Sequence, residues 1–115
     1  VPIRIIHYTN IHDENIPVNF QVYLFRIVRE ALTNIIKHAN ATLVRLEFIT
    51  EENSIVLRII DNGCGFHVED VWEKETEEFK LGITTIKEMV DIMRGNFHII
   101  SKLDKGTTLS VSIPR

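Results

Sequence analysis

Apolar residues recur along this chain with two different periods, and glycine, proline and asparagine mark the points where the period changes. Between Val18 and Asn40 the apolar positions step by three and four: Leu24, Ile27, Val28, Ala31, Leu32, Ile35, Ile36 and Ala39. That rhythm predicts one long helix with an apolar face of about four turns. Pro17 suits its first turn and Asn40 its stop. From Thr42 to Thr50 the period is two, with Val44, Leu46 and Phe48 opposite Arg45 and Glu47. Ser54 to Ile60 repeats it, with Ile55, Leu57 and Ile59 opposite Arg58, and the Glu51-Glu52-Asn53 spacer suits a hairpin. Thr84 to Arg94 returns to the helical step through Ile86, Met89, Val90 and Met93, and Gly95 stands where a helix-ending glycine would go. Asn96 to Lys102 and Thr107 to Ile113 read as strands joined by a turn at 103–106. Val1 to Thr9 reads as a first strand. His67 to Lys80 is acidic and lacks a period, so it is expected to be a mobile loop with one helical turn around Val71-Trp72. Strand pairs separated by helices predict an α/β fold, a two-layer sandwich whose mixed, mostly antiparallel sheet is covered on one face by helices.

Length and charge narrow the function. At 115 residues the chain is expected to form a single domain, 1–115. A hydrophobic fraction of 44% and a charged fraction of 25% exclude a disordered or fibrous chain. No apolar run approaches the roughly 20 residues of a membrane-spanning helix. The net charge of −3, with lysines and arginines scattered, argues against a nucleic-acid partner. Cys64 is the single cysteine, which excludes an internal disulfide and suits a reducing compartment. The chain begins at Val1 without a methionine or a signal-type stretch, and reads as a piece of a longer protein.

Two places carry chemistry. On the long helix, Glu30, Asn34, Lys37 and His38 follow steps of four, three and one, opposite the apolar stripe. Asparagine has poor propensity for a helix interior. A carboxylate, an amide, an ammonium and an imidazole on one side suit a metal-bridged phosphate chain, because magnesium takes oxygen ligands and usually binds together with phosphates. A solvated helix face is the plainer reading of the same residues. The second place is Asp61-Asn62-Gly63-Cys64-Gly65-Phe66, at the end of an apolar strand. There the carboxylate is expected near the interior, where it needs a partner, and an exocyclic amine would supply one. Gly63 and Gly65 would let a flat ligand approach closely. The remaining histidines, His7, His12, His67 and His98, show no metal-type spacing.

The two places in this order resemble the ATP-binding catalytic domains of bacterial sensor histidine kinases. Arg29-Glu30-Ala31-Leu32-Thr33-Asn34-Ile35-Ile36-Lys37-His38-Ala39 resembles their asparagine box, and Asp61 to Phe66 their first glycine box. Leu81-Gly82-Ile83 resembles the second glycine box, and Gly106-Thr107-Thr108-Leu109 the closing Gly-Thr element. The resemblance runs from about Phe20 to Pro114, and the Lys-His-Ala wording is similar to kinases that partner LuxR/NarL-type response regulators. It implies the Bergerat ATP-binding fold shared with gyrase, Hsp90 and MutL, with ATP and Mg2+ as cofactors. By resemblance Asn34 holds magnesium, Lys37 and His38 lie near the phosphates, and Asp61 receives the adenine amine. Gly63, Gly65 and Gly82 shape the loop over the nucleotide, Thr107 supports the adenine contact, and Glu30 is the catalytic carboxylate, polarising or magnesium-supporting. The implied partners are the protein's own dimerisation and phosphoacceptor domain and a response regulator. The whole protein is expected to be a membrane-attached homodimer with this part in the cytoplasm.

The sequence also departs from that family. Its second glycine box has one glycine, and Thr84-Thr85-Ile86-Lys87-Glu88 replaces the common Gly-Met-Arg-Glu-Arg. His38, being inside the asparagine box, is not the phosphorylated histidine. Two other functions fit the same fold: an anti-sigma-factor-type serine kinase, and a non-enzymatic, nucleotide-responsive interaction module.

Overall fold

The structure, a computed structural model, describes residues 2–11, 16–65 and 77–115. The helical turn expected around Val71-Trp72, and most of the expected loop, lie outside the described residues.

Five strands form one sheet: β1 (Arg4–Thr9), β2 (Leu43–Thr50), β3 (Ser54–Asp61), β4 (Asn96–Lys102) and β5 (Gly106–Pro114). Their order across the sheet is β1-β2-β3-β5-β4, with β1 parallel to β2 and every other pair antiparallel. The alternation visible in sequence decides the inward face. Val44, Ile55, Leu57, Ile59, Leu109, Val111 and Ile113 all point into one core. The opposite face carries Arg45, Glu47 and Arg58, with Glu47 carboxylate oxygens 3.5 Å and 3.4 Å from the two arginines. Two helices cover the inward face. They are α1 (Val18–Asn34), which continues as a π-helical turn (Ile35–Ala39), and α2 (Glu77–Ile92). The predicted sandwich is the observed one. Among the described residues, no helix is long and apolar enough to cross a membrane.

Three boundaries differ from expectation. The long helix gives up α geometry at Ile35 and widens into the π turn, which ends where Asn40 takes a left-handed φ of 52°. Such widened turns often mark functional sites. Residues 77–80 are helical rather than loop, so α2 starts seven residues earlier than the periodicity suggested. Its buried stripe of Ile86, Met89, Val90 and Met93 extends back to Ile83 and Gly82, and Lys80 closes the first turn on Glu77 at 3.5 Å. Glycine and two threonines hide this start from a propensity argument, because tertiary packing overrides propensity. At the other end Arg94, not Gly95, takes the left-handed conformation, with φ 60°. A Cβ on Gly95 would instead collide with the Ser112 carbonyl and Ile113.

Ile27 is fully buried between the sheet and α2's side of the core, whereas Ile36, equally part of the apolar rhythm, is 67% exposed. Ile27→Ala should therefore lower stability by about 2–5 kcal/mol and the melting temperature by about 10 °C or more. Ile36→Ala should stay within about 0.5 kcal/mol of wild type in the same thermal melt. Equal losses from both would mean that the outer side of this helix is also core.

Candidate functional site

A cleft of about 110 Å3 opens between the two helices and the C-terminal end of β3. Its apolar walls come from every layer: Ala31 and Ile35 from the long helix, Ile59 from β3, Ile83 from α2, Ile99 from β4 and Leu109 from β5. Asn34, His38, Asp61 and Thr107 add polar groups, and Cys64 and Gly65 form part of the lining.

Asp61 is the one buried charged residue among those described, at 6% exposure. Its strand delivers it there, because Ile55, Leu57, Ile59 and Asp61 alternate onto the same inward face. One carboxylate oxygen accepts the Gly63 amide at 2.7 Å. Burial raises its pKa above the usual carboxylate range, while amide hydrogen bonds from Gly63 and Thr107 oppose the rise. Thr107 lies directly across the β3–β5 ladder from Asp61, and its hydroxyl is 2.7 Å from that of Ser101.

The glycine loop holds this carboxylate by close backbone contacts. A Cβ on Gly63 would run into the Ala39 carbonyl, so glycine lets the loop press against the end of the π turn. The Cys64 amide then donates to that same carbonyl at 2.7 Å. Gly65 has φ 64° and faces the Lys102 carbonyl, a conformation and approach that a side chain would not allow.

Two residues matter here that sequence reasoning passed over. The Asn62 carboxamide oxygen accepts the amides of Thr42 and Leu43 at 2.9 Å and 3.0 Å, and its nitrogen donates to the Thr42 hydroxyl at 2.9 Å. It thereby ties the loop to the start of β2. The turn-forming tendency of an Asp-Asn-Gly run was the available signal. Ser101, the partner of Thr107, sits on a strand with no local mark to distinguish it.

The polar ledge of the long helix is divided. Asn34 and His38 line the cleft beside Asp61. Glu30 lies next to Asn34, and the two side chains meet beneath Gly82. A Cβ built on Gly82 would stand 2.6 Å from the Glu30 Oε1 and 3.1–3.3 Å from the Asn34 carboxamide atoms. Lys37 is exposed and outside the cleft. Gly82 thus corrects the expectation of a glycine in a loop over the ligand. It is buried inside α2, and its missing side chain lets that helix seat on the ledge. The atoms it touches are the ends of movable side chains, and alanine favours a helix over glycine by about 1 kcal/mol. Gly82→Ala should therefore leave the melting temperature unchanged or higher while displacing Glu30 and Asn34. The side-chain amide resonances of Asn34 should shift. Unmoved Asn34 resonances would show that Gly82 does not touch the ledge.

Together, a mixed sheet backed by two helices, with an open, largely apolar cleft that holds one buried carboxylate, define a two-layer α/β domain. Residues 20–115 match the family described as histidine kinase-, DNA gyrase B- and HSP90-like ATPase, and the chain belongs to that family. It is 35% identical over 114 residues to the sensor protein VraS of Staphylococcus epidermidis and 34% identical to that of Staphylococcus aureus. Each alignment covers 99% of this chain and 31% of the relative, so the chain spans about a third of the length of those proteins. The fold is also that of solved histidine kinases. The kinase domain of the blue-light activated histidine kinase EL346 from Erythrobacter litoralis superposes with a TM-score of 0.80 at 21% identity, covering 97% of this chain and 51% of that one. Histidine kinase AdeS of Acinetobacter baumannii does so with a TM-score of 0.71 at 14% identity, covering 96% and 54%.

Proposed function

We propose that this chain is the ATP-binding catalytic domain of a bacterial sensor histidine kinase, one domain of a longer polypeptide. The observation that carries the reading is the buried Asp61 carboxylate at the side of an apolar cleft, next to the Glu30–Asn34 ledge. A carboxylate in such a slot needs a donor, and the adenine amine is a flat ring's natural one. The apolar side chains of Ile59, Ile83, Ile99 and Leu109 then cover the ring faces, while Thr107 helps to fix the Asp61 oxygens. The polar extension of the ligand points along the ledge, toward Asn34, His38 and, outside the cleft, Lys37.

Magnesium fits the ledge. The Glu30 and Asn34 side chains lie next to each other, Asn34 on the cleft wall, and both offer oxygen, the donor that this ion prefers. Among the described residues no group of three His, Cys, Asp or Glu side chains could hold a metal, so Asn34, with Glu30 beside it, would share the ion with phosphate oxygens. When bound, it neutralises charge on the phosphate chain. The protein's own contribution is positioning, since phosphoryl transfer relies chiefly on alignment and charge stabilisation. The nucleophile is a histidine on the dimerisation domain of the same kinase. Its ring nitrogen bonds to the γ-phosphorus as the bond to the ADP oxygen breaks. A response regulator, of LuxR/NarL type by resemblance, then takes the group on an aspartate. We place the domain on the cytoplasmic side of a membrane-attached homodimer.

The test is transfer in trans. The domain is incubated with γ-labelled ATP and the sensor's dimerisation domain. Acid-labile, base-stable label on the acceptor is expected, and the domain alone should retain none. Acid-stable label would point to a serine kinase. Tight ATP binding without transfer to any acceptor would make this a nucleotide-responsive interaction module.

A further inference from the structure

Asp61 stands at one end of a polar row that crosses three strands. Thr107 of β5 lies opposite Asp61 of β3, and Ser101 of β4 lies opposite Thr107. All three are on the inward face. Ser101 continues the inward alternation of Phe97 and Ile99, as Thr107 continues that of Val111 and Leu109. Every other inward position of these three strands is apolar. Asp61 and Thr107 line the cleft, whereas Ser101 stands behind Thr107 and is not part of the lining. A hydroxyl set behind another hydroxyl, in a sheet face built otherwise for packing, acts on the cleft only through its neighbour.

The two hydroxyl oxygens are 2.7 Å apart, and either could be the donor. The Ser101 hydroxyl is also aimed at the Gly106 carbonyl, at 3.3 Å. A hydroxyl has one proton to give. Hydroxyl-to-oxygen bonds run about 2.5–3.0 Å, so Thr107 is the better of these two acceptors. With the Ser101 proton on its oxygen, the Thr107 hydroxyl keeps its own proton for the cleft. With the bond reversed, Thr107 would turn a lone pair to the cleft. Ser101 thus sets whether a ligand meets a donor or an acceptor beside Asp61.

That choice matters to a purine. Beside its exocyclic amine, adenine carries a ring nitrogen, N1, that accepts a hydrogen bond. Asp61 accepts from the amine, and N1 needs a donor next to it, directly or through one water. We propose that Ser101 is a positioning residue for base recognition, its hydroxyl orienting that of Thr107 as a donor toward purine N1. The proposal rests on the ATP reading above and deepens it, adding to Asp61 a second, hydroxyl-relayed contact with the base. Without Ser101 the Thr107 hydroxyl has a stronger acceptor across the ladder, the Asp61 carboxylate. Turning there, it would withdraw the proton from N1 and occupy an oxygen that the amine needs.

Calorimetric binding of ATP and of 1-deaza-ATP, in which N1 is replaced by a C–H group, tests it. Wild type should bind ATP about three- to tenfold more tightly than the analogue, the worth of one hydrogen bond. In Ser101→Ala the two affinities should converge. A merely structural role for Ser101 would weaken both nucleotides alike and leave their ratio at the wild-type value, and that result would overturn the proposal. Ser101→Cys, close in shape but with a weak S–H donor, should also lower the ratio, and it keeps the test decisive if alanine disturbs the strand. Ser101→Thr retains the hydroxyl and should retain the ratio. Equal binding of ATP and the analogue by wild type would overturn the proposal while leaving the ATP reading in place. A wild-type domain that bound neither would overturn the ATP reading, and the proposal with it.

Discussion

Asp61→Asn should weaken ATP binding about ten- to a hundredfold by calorimetry, because a hydrogen bond to a charged group is worth about 1.5–3 kcal/mol. The substitution keeps the size of the side chain and leaves an oxygen for the Gly63 amide, so the loop geometry has little reason to change. What is lost is the charge. Burial holds the Asp61 pKa above its ordinary range, which means that the free domain bears a cost for ionising it. Its contribution to stability is therefore present in acid and lost as the pH rises through the raised pKa. Asparagine removes that penalty, so the melting temperature of the variant at neutral pH should be equal to or above that of wild type. Nucleotide binding runs the other way. The adenine amine donates to the carboxylate, so ATP affinity should fall as acid protonates Asp61, and binding in that range should release a proton. Calorimetry in two buffers of different ionisation enthalpy reads that proton directly, and the asparagine variant should not show it. Unchanged affinity in Asp61→Asn would remove this residue from the site, however well the fold survived.

Asn34→Ala should abolish the dependence of ATP affinity on magnesium. Asn34 is held in mid-helix against its propensity, half-buried, with its carboxamide facing the cleft and the Glu30 side chain beside it. Nothing in the packing of α1 needs an amide there, and alanine is the better helix residue. The variant should fold normally. Groups that merely support metal ligands cost about 10–100-fold when removed, so loss of a ligand should cost phosphoryl transfer about a hundredfold or more. The measurement is ATP affinity with saturating magnesium and with a chelator. In wild type the two values should differ widely, and in Asn34→Ala they should converge. A variant that keeps the wild-type difference would assign the metal to other groups.

The two predictions differ in how they became visible. Asp61 could be placed from sequence because a strand alternates strictly. Once Leu57 and Ile59 are inward, so is Asp61, and the glycines that follow announce a turn. The helix period groups Asn34 with Glu30 and His38, but the expectation that this group lies opposite the apolar stripe is corrected by the structure: Asn34 and His38 border the stripe and line the cleft with Ala31 and Ile35. Gly82 could not be placed. Its role depends on where α2 crosses α1, and no local pattern records a crossing point. The early start of α2 was hidden for the same reason, since Gly82, Thr84 and Thr85 are weak helix formers. They are helical because Ile83 and Ile86 bury themselves against the rest of the fold.

The sequence by itself therefore determined what local periodicity can encode: five strands, two helices, which side of each is apolar, and the residue types gathered on the helix and at the end of β3. Only the tertiary structure decided the strand order, with β5 inserted between β3 and β4, and so brought Thr107 across from Asp61. It also decided that Lys37 stands outside the cleft while His38 lines it, and that Ile36 is surface rather than core. The physical reason is the range of the forces concerned. Hydrogen-bonding geometry and side-chain alternation act over a few residues and leave a periodic trace. The approach of one helix to another is set by close packing between segments far apart in the chain, and that packing leaves its trace only in space.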